Sequence, residues 1–329
     1  MSHLLEIKKN GKVCMAWAGQ KPWHGLGVEV SNDLTPEEMM KVAGLDWTVQ
    51  KRTLFAEVGK KRVNVTSTTG KVGLVRVYPD GSESPDVLDV VGKDWHEVQN
   101  VEAFEFFSEF VKNGHMTMET AGSIRDGKTV WALAAMTREF EAVKGDVTKG
   151  YMLFTNQLRY GAPTDVRLTN TRVVCNNTLT MALANRLDAQ DSVQVTHRLA
   201  FDADKVKELM GLAGARFDEY ADQAQFLATK RYDEESVVEY FDYVFPRTSD
   251  AKGKGAKSKQ LGRAMELLEQ QPGHEFAPGT WWQAFNAVTF ITNHEMGKDA
   301  TRLENVWYGG TRKRNLDALS KAIEYANAA

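Results

Sequence analysis

A chain of 329 residues, 42% apolar and 26% charged, has ordinary globular composition and is long enough for one large domain or two smaller ones. Its net charge of −3 supplies no global field to draw in a polyanion, so a nucleic-acid site would have to be a local patch. The two cysteines, Cys14 and Cys175, fit neither a disulfide framework nor a zinc knuckle, and no stretch nears the ~20 apolar residues of a membrane span, so a cytoplasmic protein without a membrane partner is expected.

The first part reads as strands broken by turns. Residues 15–30, MAWAGQKPWHGLGVEV, suggest an irregular packed segment. His24, between Trp23 and Gly25, is the most unusually set of the seven histidines; a packed loop ring is favoured over a catalytic one. LTPEEMMKVAGLDW predicts a helix, with Thr35 as cap, Pro36 at the first position, Glu37 and Glu38 at the positive end, and a stop near Gly44. TVQKRTLFAEV, KRVNVTSTT and KVGLVRVY read as strands separated at Gly59 and Gly70, and 78–89 as a polar loop. In 101–111, Phe104, Phe107, Phe110 and Val111 share a helical face.

ETAGSI and TVWALAAM flank a hairpin signal at Asp126-Gly127, and YGAPTD joins the strands YMLFTNQLR and VRLTNTRVVC. In RVVCNNTLTMA the valine run stops at Cys175 and two asparagines follow. Asn177 or Asn176 suits the cap of a helix TLTMALANRL, with Cys175 as a small packed residue at the strand end. A thiolate nucleophile there would gain from a helix N-terminus but needs a base, and no neighbouring histidine supplies one. Beyond about residue 200 the texture turns helical: residues 206–227, ESVVEYFDYVF, KQLGRAMELLEQ, TWWQAFNAVTFITNHEM and RNLDALSKAIEYA. The expectation is an α+β protein with an antiparallel-sheet-rich part over 1–200 and an all-α part over 201–329. The latter carries a mobile Lys/Gly-rich loop at 247–259.

Three basic groups are candidates for nucleic acid. Lys252, Lys254, Lys257, Lys259 and Arg263 surround the glycine-loosened loop. AKGKGAKS within it fails as a phosphate-binding loop, because alanine stands at both required glycine positions. Arg312, Lys313 and Arg314 follow Trp307 and Tyr308, an aromatic and basic mixture suited to base stacking with phosphate contact. Arg159, Arg167 and Arg172 lie on strands and serve equally to keep a sheet face wet. His294-Glu295 lacks the second histidine of a zincin motif, and neither a metal nor a cofactor is expected.

PWHGLG (22–27), AGLDWTV (43–49), VQN (98–100), ETAG (119–122), VWALA (130–134), LFTN (153–156), RVVCNNTL (172–179), WQAFNAVT (282–289) and Trp307-Tyr308-Gly309 together resemble the phage/plasmid-like proteins gathered under domain of unknown function 932. The resemblance implies a mobile-element protein in a bacterial cytoplasm and no settled activity. It singles out Trp23, His24, Gln99, Asn100, Glu119, Cys175 and Asn177 as motif positions without assigned roles. The order helix, antiparallel strands, helix over 35–112 is also similar to the core order of single-strand annealing proteins. The functional expectation is therefore association with DNA, single-stranded first, without turnover and with self-association into an oligomer open. An enzyme acting on nucleic acid or nucleotides through His24, Glu119 or Cys175, and a protein-binding host-defence antagonist, are the alternatives.

Overall fold

A computed structural model of the chain describes residues 5–8, 10–19, 21–22, 25–172, 177–180, 192–198, 202–246 and 258–328. In chain order these form β1 (Met15–Ala18), β2 (Val28–Val30), α1 (Pro36–Val42), β3 (Thr48–Thr53), β4 (Phe55–Val58), β5 (Lys61–Asn64), α2 (Val65–Thr69), β6 (Lys71–Val77) and β7 (Glu83–Gly92). Then come α3 (Asn100–Lys112), β8 (Met116–Ile124), β9 (Thr129–Glu141), β10 (Val147–Gln157), β11 (Thr164–Arg172), β12 (Asn177–Thr180) and β13 (Ser192–Val195). The rest is helical: α4 (Ala203–Thr229), α5 (Glu234–Val244), α6 (Lys259–Gln270), α7 (Trp281–Phe290) with a π turn at Ile291–Glu295, α8 (Asp299–Trp307) and α9 (Gly310–Ala328). The protein is thus α+β, sheet-rich first and helical last.

One sheet runs β12-β11-β10-β9-β8-β1-β2 with β13 also on β11; a second runs β3-β6-β7; β4 and β5 pair only with each other. Local chemistry explains several elements. Thr35 accepts from the Glu38 N–H while the Glu38 carboxylate accepts from the Thr35 N–H, a capping box that starts α1. The β8–β9 turn places Arg125, Asp126 and Gly127 at φ of 55°, 55° and 83°, the left-handed geometry that Asp-Gly tolerates. Gly122 faces Trp131 across the β8–β9 pair, and any side chain on it would collide with that indole.

Four local expectations are corrected. TVQKRTLFAEV is not one strand: it breaks at Leu54, whose carbonyl accepts from Val65 N–H, and β4 leaves β3 to pair with β5. VTSTT is a short helix rather than strand, because Asn64 caps it by accepting from Ser67 N–H and the Ser and Thr hydroxyls bond back to carbonyls. The expected polar loop at 78–89 gives way from Glu83 to β7, a bulged strand whose Leu88 and Val91 are buried. Asn177 does not cap a helix: it opens β12, opposite Arg172 in an antiparallel pair with β11. Of the expected helix over 178–187, residues 178–180 are strand instead, while 181–187 lie outside the described residues, as do Cys175 and 247–257 of the lysine-rich loop.

The chain forms two compact units, 1–137 with 152–167 and 192–209, and 138–151 with 168–191 and 210–329. This differs from a single cut near residue 200. In the second unit the far ends of the long strands join the helices: Phe140 packs edge-on against Phe217 and Tyr220, and the Trp282 indole donates to Asp146 at 2.7 Å. Around α7, in which Trp281 through Thr289 are buried, the core gathers Tyr240, Phe241, Leu267 and Leu319. In the first unit Phe106 and Phe107 of α3 pack with Phe154; Phe104, Phe106 and Phe107 are all buried, whereas Phe110 is half-buried.

Candidate functional site

The sequence-nominated cations divide sharply by environment. Arg167 is 5% exposed, and its Nε and Nη2 donate to the two carboxylate oxygens of Asp165 at 2.5 and 2.6 Å. It is an internal ion pair on one strand, not a surface contact. Arg263 is also committed: Nε and Nη2 donate to Glu295 and Nη1 to Glu266, which hold its pKa above the usual arginine value. Arg159 donates to the Gln157 side-chain oxygen at 3.1 and 2.5 Å. Trp307 is 6% exposed and so buried, which removes it as an open stacking platform.

What remains at the surface is narrower. Lys313 is exposed, and Arg312, Arg314 and Tyr308 are half-buried, all at the junction of α8 and α9. Lys259 is exposed in the first turn of α6, which Ser258 caps by accepting from Leu261 N–H. Lys252, Lys254 and Lys257, like Trp23 and His24, lie outside the described residues, as does the side chain of Arg172.

Several motif positions converge on one polar junction in the first unit. The Gln99 side chain donates to Val49 O and accepts from Val49 N–H, finishing the outer edge of β3 as a neighbouring strand would. Asn100, 1% exposed, donates to Leu45 O and Trp47 O and ties the start of α3 to the same segment. Asn156 of the LFTN motif donates to Val98 O at 2.6 Å and accepts from Thr164. VQN and LFTN are therefore parts of one hydrogen-bonded brace. Glu119 is half-buried on β8.

His197, which sequence reasoning passed over, completes this brace. Its ring stacks on Trp95 at 3.9 Å; Nδ1 faces His96 O at 2.8 Å and Nε2 faces Gln157 O at 3.1 Å. Only an imidazolium could donate to both carbonyls. Burial nevertheless pushes its pKa below the ordinary 6.5, outweighing the pull of the two carbonyls and of Glu97. The unfolded chain therefore binds a proton more readily, and stability should fall as pH drops below about 6.5 toward the lowered folded value. Melting curves from pH 8 to 5 for wild type and His197→Phe check this: the variant should show the shallower acid-side slope, and parallel curves would exclude the linkage. The available signal was polar residues on both faces of strands, in FTNQ and TDVRLTN, which marks internal polar pairing rather than a wet face.

A second buried polar group surrounds Cys14. Arg76 pairs with Glu6, which also accepts from the Ser123 hydroxyl, and the Arg76 guanidinium lies 5.4 Å over the Trp47 ring. Gly127 is required here, since a side chain would run into Arg76. Burial, and then the Glu6 charge, push the Cys14 thiol up to about 11, so it stays protonated and inert at neutral pH. Among the described residues no group of three or more His, Cys, Asp or Glu is placed to hold a metal ion, and no helix is long and apolar enough to cross a membrane.

No curated protein and no solved structure matches the chain. A family model described as Domain of unknown function (DUF932) does match, over residues 87–322. PWHGLG and AGLDWTV precede that stretch, whereas VQN, ETAG, LFTN, RVVCNNTL and the α7 motif fall inside it. With most of its length matched, and the brace built by Gln99, Asn100 and Asn156 inside the matched region, the chain belongs to the DUF932 family.

Proposed function

We propose that this protein associates with DNA without turning it over, as a single-strand binding or annealing factor of a phage or plasmid. One observation carries the reading. The first two turns of α9 hold Arg312, Lys313 and Arg314, and its first turn holds no acidic residue. That end of a helix is the positive pole of its dipole, where cations are disfavoured and anions welcome. The exposed Lys313 opposes that dipole, and a phosphate bound there relieves the conflict. Tyr308, half-buried between α8 and α9, supports the stacking role that the sequence reading gave to it and Trp307 together. Between α1 and α3 the chain forms β3, β4, β5, the short α2, β6 and β7, and this placement of antiparallel strands between two helices supports the likeness to annealing proteins.

The test is binding of the purified protein to single- and double-stranded DNA across a salt series. Affinity should fall with salt, with a log–log slope near −0.7 per phosphate neutralised on single strands. Replacing Arg312, Lys313 and Arg314 together with Ala should weaken binding and flatten the slope by roughly two units if each meets one phosphate. A folded wild-type protein that binds no DNA even at low salt ends this reading.

A further inference from the structure

The β4–β5 hairpin stands clear of both sheets. Every residue of its two strands is exposed, and Phe55, Val58 and Val63 keep 46%, 65% and 43% of their surface. Among the described residues each strand pairs only with the other, so both outer edges are open. A lone two-stranded hairpin is marginal in water, and open edges beside large apolar side chains are a template for another strand. The register puts Ala56, Val58, Lys61 and Val63 on one face; on the other, the Arg62 guanidinium lies 4.1 Å over the Phe55 ring. Lys60, Lys61 and Arg62 against the single acid Glu57 make the arm positive.

The same unit carries the counterpart. β7 ends the three-stranded sheet and, among the described residues, pairs only with β6. Its bulges lie at the Leu74–Val77 side of the pairing, leaving Val90, Val91 and Gly92 in regular register with Gly73, Val72 and Lys71. Val87 and Val90 are 44% and 43% exposed. Residues 80–89 hold Asp80, Glu83, Asp86 and Asp89 and no cation; Arg52 already pairs with Glu83 and Asp89 accepts from Tyr160 N–H, so Asp80 and Asp86 carry the exposed negative charge. Among the described residues no strand covers the outer edge of β7, where Val90 N–H is met by the neighbouring Asp89 side chain; that edge, its exposed valines and the Asp80 and Asp86 charges match the open edge, exposed valines and positive charge of the hairpin.

We propose that the β4–β5 hairpin of one copy adds to the β7 edge of a second copy of this chain, giving a head-to-tail assembly that closes as a ring or continues as a filament. The inference is independent of the DNA reading. A phosphate backbone matches the lysines of the arm but offers neither a strand edge nor apolar cover for Val58 and Val63.

The experiment measures the mass of the full chain by sedimentation and light scattering across protein concentration and salt. Wild type should rise above 36.8 kDa with concentration, less steeply at high salt. Lys60→Glu with Lys61→Glu in one variant, and Asp86→Lys in another, should each weaken assembly on the order of tenfold. These side chains are exposed, so circular dichroism should be unchanged. Mixing the two variants should restore assembly, because an acidic hairpin then meets a lysine-bearing edge. A wild type that stays monomeric, variants that assemble like wild type, or a mixture that fails to recover would overturn the pairing. So would a hairpin variant that loses DNA binding at unchanged mass, which would make the arm a nucleic-acid element.

Discussion

Arg167→Ala should unfold the protein far more readily rather than merely weaken a surface contact. Asp165 is fully buried and Arg167 5% exposed, so the substitution strands a carboxylate inside the first unit without the guanidinium that grips both its oxygens. Breaking a buried pair from one side costs about 3–5 kcal/mol, a large share of a typical stability of about 5–15 kcal/mol. Arg167→Lys should recover little, because a point charge cannot reproduce the two-pronged geometry. The double change Asp165→Asn with Arg167→Met should recover much of it, since no charge then lies uncompensated. Urea unfolding midpoints check all three. A folded, stable Arg167→Ala that only loses DNA affinity would return Arg167 to the list of contacts.

Trp307→Ala should likewise act through the core. A stacking tryptophan, when removed, lowers affinity by about 1–3 kcal/mol and leaves the fold intact. Trp307 is 6% exposed and meets Tyr308 edge-on at 6.3 Å, so its removal opens a cavity at the α8–α9 junction. Truncating a buried tryptophan costs about 3–5 kcal/mol of stability. Trp307→Phe should cost less, because part of the volume is kept. The decisive measurement pairs thermal melting with DNA affinity below the transition. Loss of affinity with an unshifted melting temperature would place Trp307 at the surface. Tyr308→Ala should show the opposite balance, a small stability change with weaker binding.

Much of the architecture was legible because it rests on local chemistry. The Thr35–Glu38 capping box, the Asp126-Gly127 hairpin, the helical spacing of Phe217, Tyr220, Ala224 and Leu227, and the apolar run of α7 each declare themselves within a few residues. The family resemblance was equally local, carried by short motifs. The misreadings came where two local signals competed. VTSTT has a β-branched composition but hydroxyls that bond their own backbone, and Asn177 looks like a cap until β11 claims it as a strand partner.

Tertiary structure alone decided which polar residues face water. Arg167 reads from the sequence as a cation that keeps a sheet face wet, yet the fold buries it with Asp165 as an internal ion pair. Arg263 looks like part of a free basic loop until Glu295, distant in sequence, neutralises it. Gln99, Asn100, Asn156 and His197 have no common sequence pattern; folding brings them around the 95–100 segment, where each satisfies a backbone group that burial would leave unpaired. Periodicity reports whether a side chain prefers oil or water. It does not report its partner, because the energy of a buried polar group depends on atoms that only the folded chain brings within 3 Å of it.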